Sequence, residues 1–357
     1  MSTYLSKRFL GIAAYVPGEQ PQDRSYIKLN TNESPFSPSP AVLATLNAEQ
    51  TARLNLYPDP DAREAGAAIS RQFGLQPENI ILGNGSDELL AFAFQAFCDE
   101  SVPAVYADIT YGFYSVFARI NCIASRVIPL DAALNLVPRE YYKAGGTIFI
   151  ANPNSPTGRA VPLESIETII RENCDKIVVV DEAYVAFGAQ SAVPLIAKYD
   201  NLIVVHTMSK SKNLAGARIG YALADSALIA DLNIMKFSFN PYNVSRLSLL
   251  AAIAAINDEA YYNECVEKLI KTREQTATEL QNRGFEVLPS KSNFLFAKPG
   301  FTSGEDYYLS LKKRGVLVRH FATELIKDYV RITIGSDEQM RELLTATDAI
   351  QQTGTHP

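Results

Sequence analysis

A chain of 357 residues, 47% hydrophobic and 20% charged, has globular composition and length enough for two domains or one large domain with an appendage. Its net charge of −6, with no Lys/Arg-rich block, excludes a nucleic-acid footprint. Cys98, Cys122, Cys174 and Cys265 are far apart, which excludes a disulfide frame or a cysteine metal site and suggests reduced, mostly buried thiols. The polar start from Met1 to Phe9 is no signal peptide, and the longest apolar run, Leu247 to Ile256, is too short to span a bilayer. A cytoplasmic enzyme is the expectation.

In chain order, the Pro-rich stretch Asn32 to Pro40 reads as an extended arm. Strand-like apolar runs follow at Asn79–Leu82, Pro103–Tyr106, Ser125–Pro129, Thr147–Ala151, Lys176–Val180, Leu202–Val205 and Ile219–Ala224. Helical patterns at Ala62–Phe73, Asp87–Cys98, Leu163–Glu172 and Ala227–Met235 alternate with them. Alternation of this kind predicts an α/β fold with a mostly parallel central sheet flanked by helices. Beyond residue 242 a long helical region, Leu247–Arg283 with a break, precedes short strands at Asn293–Ala297, Val316–Arg319 and Val330–Ile334. Helices at Glu305–Lys313 and Glu338–Ile350 complete a small α+β domain. The expected division is an arm over 1–50 that also contributes to the small domain, a large domain over 51–245 and a C-terminal small domain over 246–357.

Ligands of such sheets bind at the carboxyl ends of the strands, and the chemical residues fall there. Gly83-Asn84-Gly85-Ser86-Asp87-Glu88 follows one strand and opens a helix, as an anion site or a plain cap would, with Asp87 capping. Tyr111, after the next strand, could stack on a flat ring or belong to the core. The turn Asn152-Pro153-Asn154-Ser155-Pro156-Thr157-Gly158 carries amides that could donate to a ring oxygen. Val178-Val179-Val180-Asp181-Glu182 ends a fully apolar strand in carboxylates, one of which could pair with a pyridinium nitrogen. A metal would need more ligands, and the three histidines are scattered. His206-Thr207-Met208-Ser209-Lys210 and Arg218 join two further strands. A lysine held there can lose its proton and form a Schiff base, while Ser209 and Arg218 grip a phosphate. Lysine, phosphate grip and carbonyl chemistry together suggest pyridoxal phosphate.

In this order the motifs resemble fold-type I pyridoxal-phosphate aminotransferases, specifically the histidinol-phosphate aminotransferase family, over nearly the whole chain. Leu29-Asn30-Thr31-Asn32-Glu33-Ser34-Pro35, Tyr57-Pro58 and Val330-Arg331-Ile332-Thr333-Ile334-Gly335 match that family's opening, its cross-dimer tyrosine and its carboxylate-binding end. The resemblance implies that Lys210 bears the cofactor and shuttles the proton, with Lys212 as runner-up. It implies that Asp181 pairs with the ring nitrogen, Tyr184 and Asn154 contact the ring oxygen, and Tyr111 stacks. Gly85, Ser86, Ser209, Arg218 and the partner subunit's Tyr57 would hold the phosphate. Arg331 would clamp a carboxylate, and Arg319, Tyr15 and Asn32 would bind substrate, the first two through its phosphate. Three positions depart from the family pattern: Ser155 stands where asparagine is usual, His206 where arginine is common, and Ile109 where proline is usual. His206 reads as a hydrogen-bonded strand-end residue.

The expected function is transamination between histidinol phosphate and 2-oxoglutarate by a homodimer, using small-molecule donor and acceptor. The alternatives are an aromatic amino-acid aminotransferase, a threonine-phosphate decarboxylase, and a pyridoxal-phosphate-binding regulatory domain.

Overall fold

The structure, a computed structural model, describes residues 4–9, 11–12 and 15–354. Seven strands form the large sheet, in the spatial order Ile80–Gly83, Gly220–Ala224, Leu202–Thr207, Val178–Asp181, Thr147–Ala151, Ala104–Ala107 and Ser125–Ile128. Gly220–Ala224 is antiparallel to both neighbours, and the remaining pairings are parallel. All but the edge strand Ser125–Ile128 are buried at every position. Their continuous apolar runs follow from burial on both faces. Successive side chains point to opposite faces, so Ile148, Val180 and Val204 feed one core while Phe149, Val179 and Val205 feed the other.

Helices Arg63–Phe73, Leu163–Arg171 and Arg246–Asn257 cover the first face through Ile69, Ile166 and Ala252. Helices Ser86–Phe97, Phe113–Ile120 and Ser226–Phe239 cover the second through Leu89, Phe117 and Leu228. Phe113–Ile120 has no counterpart in the sequence reading, because its aromatic and β-branched residues are weak helix formers and packing decides there. The long region after residue 246 is two helices, Arg246–Asn257 and Glu259–Asn282, broken at Asp258. Leu249, Ala255 and Tyr262 lie in the large-sheet core, so the change of core falls after residue 262, later than the expected boundary at 245.

The small region holds a four-stranded antiparallel sheet, ordered Arg319–His320, Val330–Thr333, Phe294–Pro299 and Phe285–Val287. Leu29 and helices Glu259–Asn282, Gly304–Lys313 and Asp337–Gly354 share its core. The expected strand Val316–Arg319 is split between sheets: Val316–Leu317 pairs with Ile27–Lys28, and Arg319 belongs to the four-stranded sheet. The arm ends where Pro40 opens helix Pro40–Thr45, with the Ser39 side chain accepting from Val42 N. All four cysteines are free; Cys98 and Cys265 are buried but Cys122 and Cys174 are exposed, so only half match the expected burial. Among the described residues no helix is long and apolar enough to cross a membrane.

Candidate active site

A cavity of about 300 Å³ opens at the carboxyl ends of the parallel strands, between the large sheet and the arm. Asp181 forms its floor, as the last residue of Val178–Asp181. Its Oδ2 accepts from Tyr114 Oη at 3.0 Å and its Oδ1 from Ala183 N at 3.2 Å. Burial pushes this carboxyl up to about 6, opposed by those two donors and, more weakly, by His206; neither lysine nor arginine is among the groups acting on it. Tyr114 was not anticipated. It stands in the first turn of helix Phe113–Ile120, its N donating to Tyr111 O at 3.1 Å, and with that helix unmarked in the sequence no local signal pointed to it.

Lys210 lies across the cavity, its Nζ 3.5 Å from Thr31 O and 5.8 Å from the centre of the Tyr184 ring. Lys212 is directed elsewhere, its Nζ over the Tyr262 ring at 4.9 Å. Tyr184 Oη accepts from Asn32 Nδ2 at 2.9 Å. Asn32 is locked in turn: its N and Oδ1 both meet Thr333 Oγ1 at 3.0 Å, and its carbonyl accepts from Asn293 Nδ2 at 3.0 Å. Glu33 lines the mouth and pairs with Lys28 at 2.8 Å.

At the other end, Gly85, with φ +80, precedes helix Ser86–Phe97. A Cβ on Gly85 would come 2.5 Å from Arg218 Nη2, and one on Gly220 would come 2.4 Å from Ser86 N. The glycines therefore let a guanidinium and a helix start converge on one spot. Arg218 Nη1 donates to Ser209 Oγ at 3.4 Å. Asp87 does not cap the helix as expected; its Oδ1 accepts from Tyr111 Oη at 2.6 Å and its Oδ2 lies 3.5 Å from Arg218 Nη2. Tyr111 lines the cavity and meets Tyr114 edge-on, with centroids 5.7 Å apart.

The turn after Thr147–Ala151 corrects the reading of Asn154. Its Nδ2 donates to Ile109 O at 2.9 Å and Thr157 Oγ1 at 3.0 Å, and its Oδ1 accepts from Thr110 Oγ1 at 2.8 Å. All its polar atoms are spent inside the loops, outside this cavity. Ser155 lines the cavity instead, and its Oγ accepts from Arg331 Nη1 at 3.1 Å. Arg331 is half-buried between the rings of Phe294 and Phe321; its Nη2 donates to Asn30 O at 3.1 Å, and its Nε is buried with no partner. Burial pulls its pKa down, the expected cost of a guanidinium without a carboxylate.

Arg319 stands apart from the cavity, donating to Val16 O at 2.9 Å and Pro17 O at 3.1 Å. Tyr15 packs on Phe113, with centroids 4.2 Å apart. Tyr57 is 76% exposed and stacks on Tyr242 in an outer groove that Arg218 also lines. His206 is hydrogen-bonded at its strand end, Nε2 to Glu182 Oε2 at 2.8 Å and Nδ1 to Tyr221 Oη at 3.2 Å. No group of His, Cys, Asp and Glu that could hold a metal occurs among the described residues.

The model of the family "Aminotransferase class I and II" matches residues 24–346. The chain belongs to that family. This aminotransferase is 47% identical to a histidinol-phosphate aminotransferase of Marinomonas sp., covering 97% of this chain and 99% of the relative. It is also 47% identical to one from Brachyspira hyodysenteriae, over 95% and 96% of the two chains. Two solved structures share its fold. The histidinol-phosphate aminotransferase of Sinorhizobium meliloti in complex with pyridoxal-5'-phosphate has TM-score 0.85 and 24% identity, over 99% of both chains. The L-threonine-O-3-phosphate decarboxylase of Porphyromonas gingivalis has TM-score 0.79 and 20% identity, over 91% and 99% of the two chains.

Enzymes of this family depend on pyridoxal phosphate, and the cavity fits that group. A buried carboxylate without a cation suits a pyridinium nitrogen. The glycine-lined junction of Ser86, Ser209 and Arg218 suits a phosphate. Lys210 lines the same cavity.

Proposed function

We propose that this aminotransferase moves an amino group between L-histidinol phosphate and 2-oxoglutarate, forming imidazole-acetol phosphate and L-glutamate, in histidine biosynthesis. The observation that carries the reading is 47% identity, over nearly full length, to two histidinol-phosphate aminotransferases. The decarboxylase likeness, at 20% identity, supports no more than a common fold.

Pyridoxal phosphate, when bound, supplies the electron sink that acidifies the donor's Cα–H bond. Lys210 Nζ anchors the group and then takes that proton and returns it, as acid and base in turn. Asp181, held by Tyr114 and Ala183, keeps the ring nitrogen protonated. Tyr184, fixed by Asn32, donates to the ring oxygen, and Tyr111 stacks on the ring face. Gly85, Ser86, Ser209 and Arg218 hold the phosphate. Tyr57 of the partner subunit completes this grip in a homodimer. The exposed patch of Leu54, Leu56, Tyr57 and Tyr242 supports such an interface. Arg331 clamps the glutamate carboxylate, for which its unpartnered Nε and lone-carbonyl contact leave donors free. Histidinol phosphate has no carboxylate, so its phosphate goes to Arg319 and Tyr15 beside the N-terminal segment. The cytoplasm is the proposed location.

Single-turnover spectroscopy of the cofactor-loaded protein tests the reading. Histidinol phosphate should bleach the bound-cofactor absorbance at far lower concentration than phenylalanine. A preference for phenylalanine would make this an aromatic aminotransferase. Carbon dioxide release from threonine phosphate would make it a decarboxylase.

A further inference from the structure

A second cavity, of about 270 Å³, lies behind the Asn152–Gly158 turn and shares only Ala151 with the site above. Its walls are mainly apolar, with Leu130, Leu134, Leu136, Phe149 and Val161 among them, and Arg159 is the one cation on its lining. The Arg159 Nη2 donates to Ala133 O at 3.2 Å, while its Nε is buried with no partner. The nearest acid of that loop, Asp131, accepts from Ala133 N at 2.9 Å and Asn135 N at 2.8 Å; it feels the Arg159 charge but makes no ion pair with it. Helix Leu163–Arg171 begins at the same place, through Pro162 and Ser165; no side chain caps its start, and the one acid of its first turn, Glu164, is exposed and is not part of the lining. A guanidinium with an idle donor, an uncapped helix start and an apolar chamber therefore face one space. Each favours an anion or an apolar group, and only one kind of molecule satisfies all three.

We propose that this cavity is a second ligand site, for a small carboxylate with an apolar body. Arg159 takes the carboxylate, and the leucine and phenylalanine walls take the body. The wall between the two cavities is the turn itself: Asn154 faces the second, while Ser155 faces the first and holds Arg331. An occupant would sit one residue away from the chemistry without entering it.

Isothermal titration calorimetry of the cofactor-loaded enzyme with 3-phenylpropionate tests this, with 2-oxoglutarate present at saturation to fill the site at Arg331. One molecule should bind per chain. Arg159→Gln should weaken that binding at least about tenfold, as loss of a charge-assisted pair does. Ser165→Phe, which plugs the mouth and leaves Arg159 in place, should abolish it. In the unsubstituted enzyme the ligand should slow amide exchange over residues 133–136 and 160–165, a readout that needs no variant to fold. Absence of binding, its loss when 2-oxoglutarate is added, protection confined to the first site, or unchanged affinity in Arg159→Gln overturns the proposal.

Discussion

The two ends of the active-site cavity are built differently. The inner end is made from strand termini of one sheet: Asp181, Thr207 and Ser209 stand on neighbouring parallel strands or just beyond them, and Tyr114 and Ala183 satisfy the Asp181 carboxylate. The outer end is assembled from distant pieces. Arg331 meets Asn30 and Ser155, and Asn32 meets Thr333 and Tyr184. It also holds three buried polar atoms without a partner, Arg331 Nε, Asn30 Oδ1 and Asn293 Oδ1. The inner end is complete as folded; the outer end keeps hydrogen-bonding capacity that a substrate can use. Common chemistry at a rigid floor and adaptable specificity at a rim follow from that contrast.

Substitutions at the two ends should therefore fail in different ways. Lys210→Ala should remove turnover almost entirely, by roughly four orders of magnitude, with substrate binding retained, as steady-state and single-turnover assays would register. Asp181 gives a smaller, pH-dependent effect in the cofactor-free protein. Burial raises its carboxyl from 3.8 to about 6, so the folded chain binds this proton more tightly than the unfolded chain. Stability should then fall as pH rises from about 4 to about 6, because the unfolded state ionises first. The difference in melting temperature between wild type and Asp181→Asn should change across that window and be flat outside it. Ser155→Ala should have the least effect, raising KM for glutamate a few-fold with kcat nearly unchanged, since it removes one neutral hydrogen bond to Arg331.

The same contrast decided what the sequence could disclose. The strands around Val178–Val180 and Leu202–Val205 were legible because strands buried on both faces need unbroken apolar runs, and Asp181 and Lys210 stand at or shortly after the points where those runs stop. The outer end depends on long-range partners that no local pattern carries. Val316 to Arg319 looked like one strand, yet its two halves join different sheets. Arg319, proposed to bind the substrate phosphate, is positioned by the carbonyls of Val16 and Pro17, some three hundred positions away. Asn154 and Ser155 are adjacent in a turn, where alternation no longer tells which side chain enters the cavity. Asp87 looked like a cap because a helix start invites one, and instead bonds Tyr111 from another loop.

The most direct measurement is the pair of half-reactions of Arg331→Gln, followed by absorbance of the bound cofactor with glutamate and with histidinol phosphate. The account predicts about a hundredfold loss in kcat/KM for glutamate, the scale of a lost buried carboxylate–guanidinium pair, and a much smaller loss for histidinol phosphate. Equal losses for both substrates, with the fold intact, would contradict it: Arg331 would then be part of the common floor, and the division between the two ends would not exist.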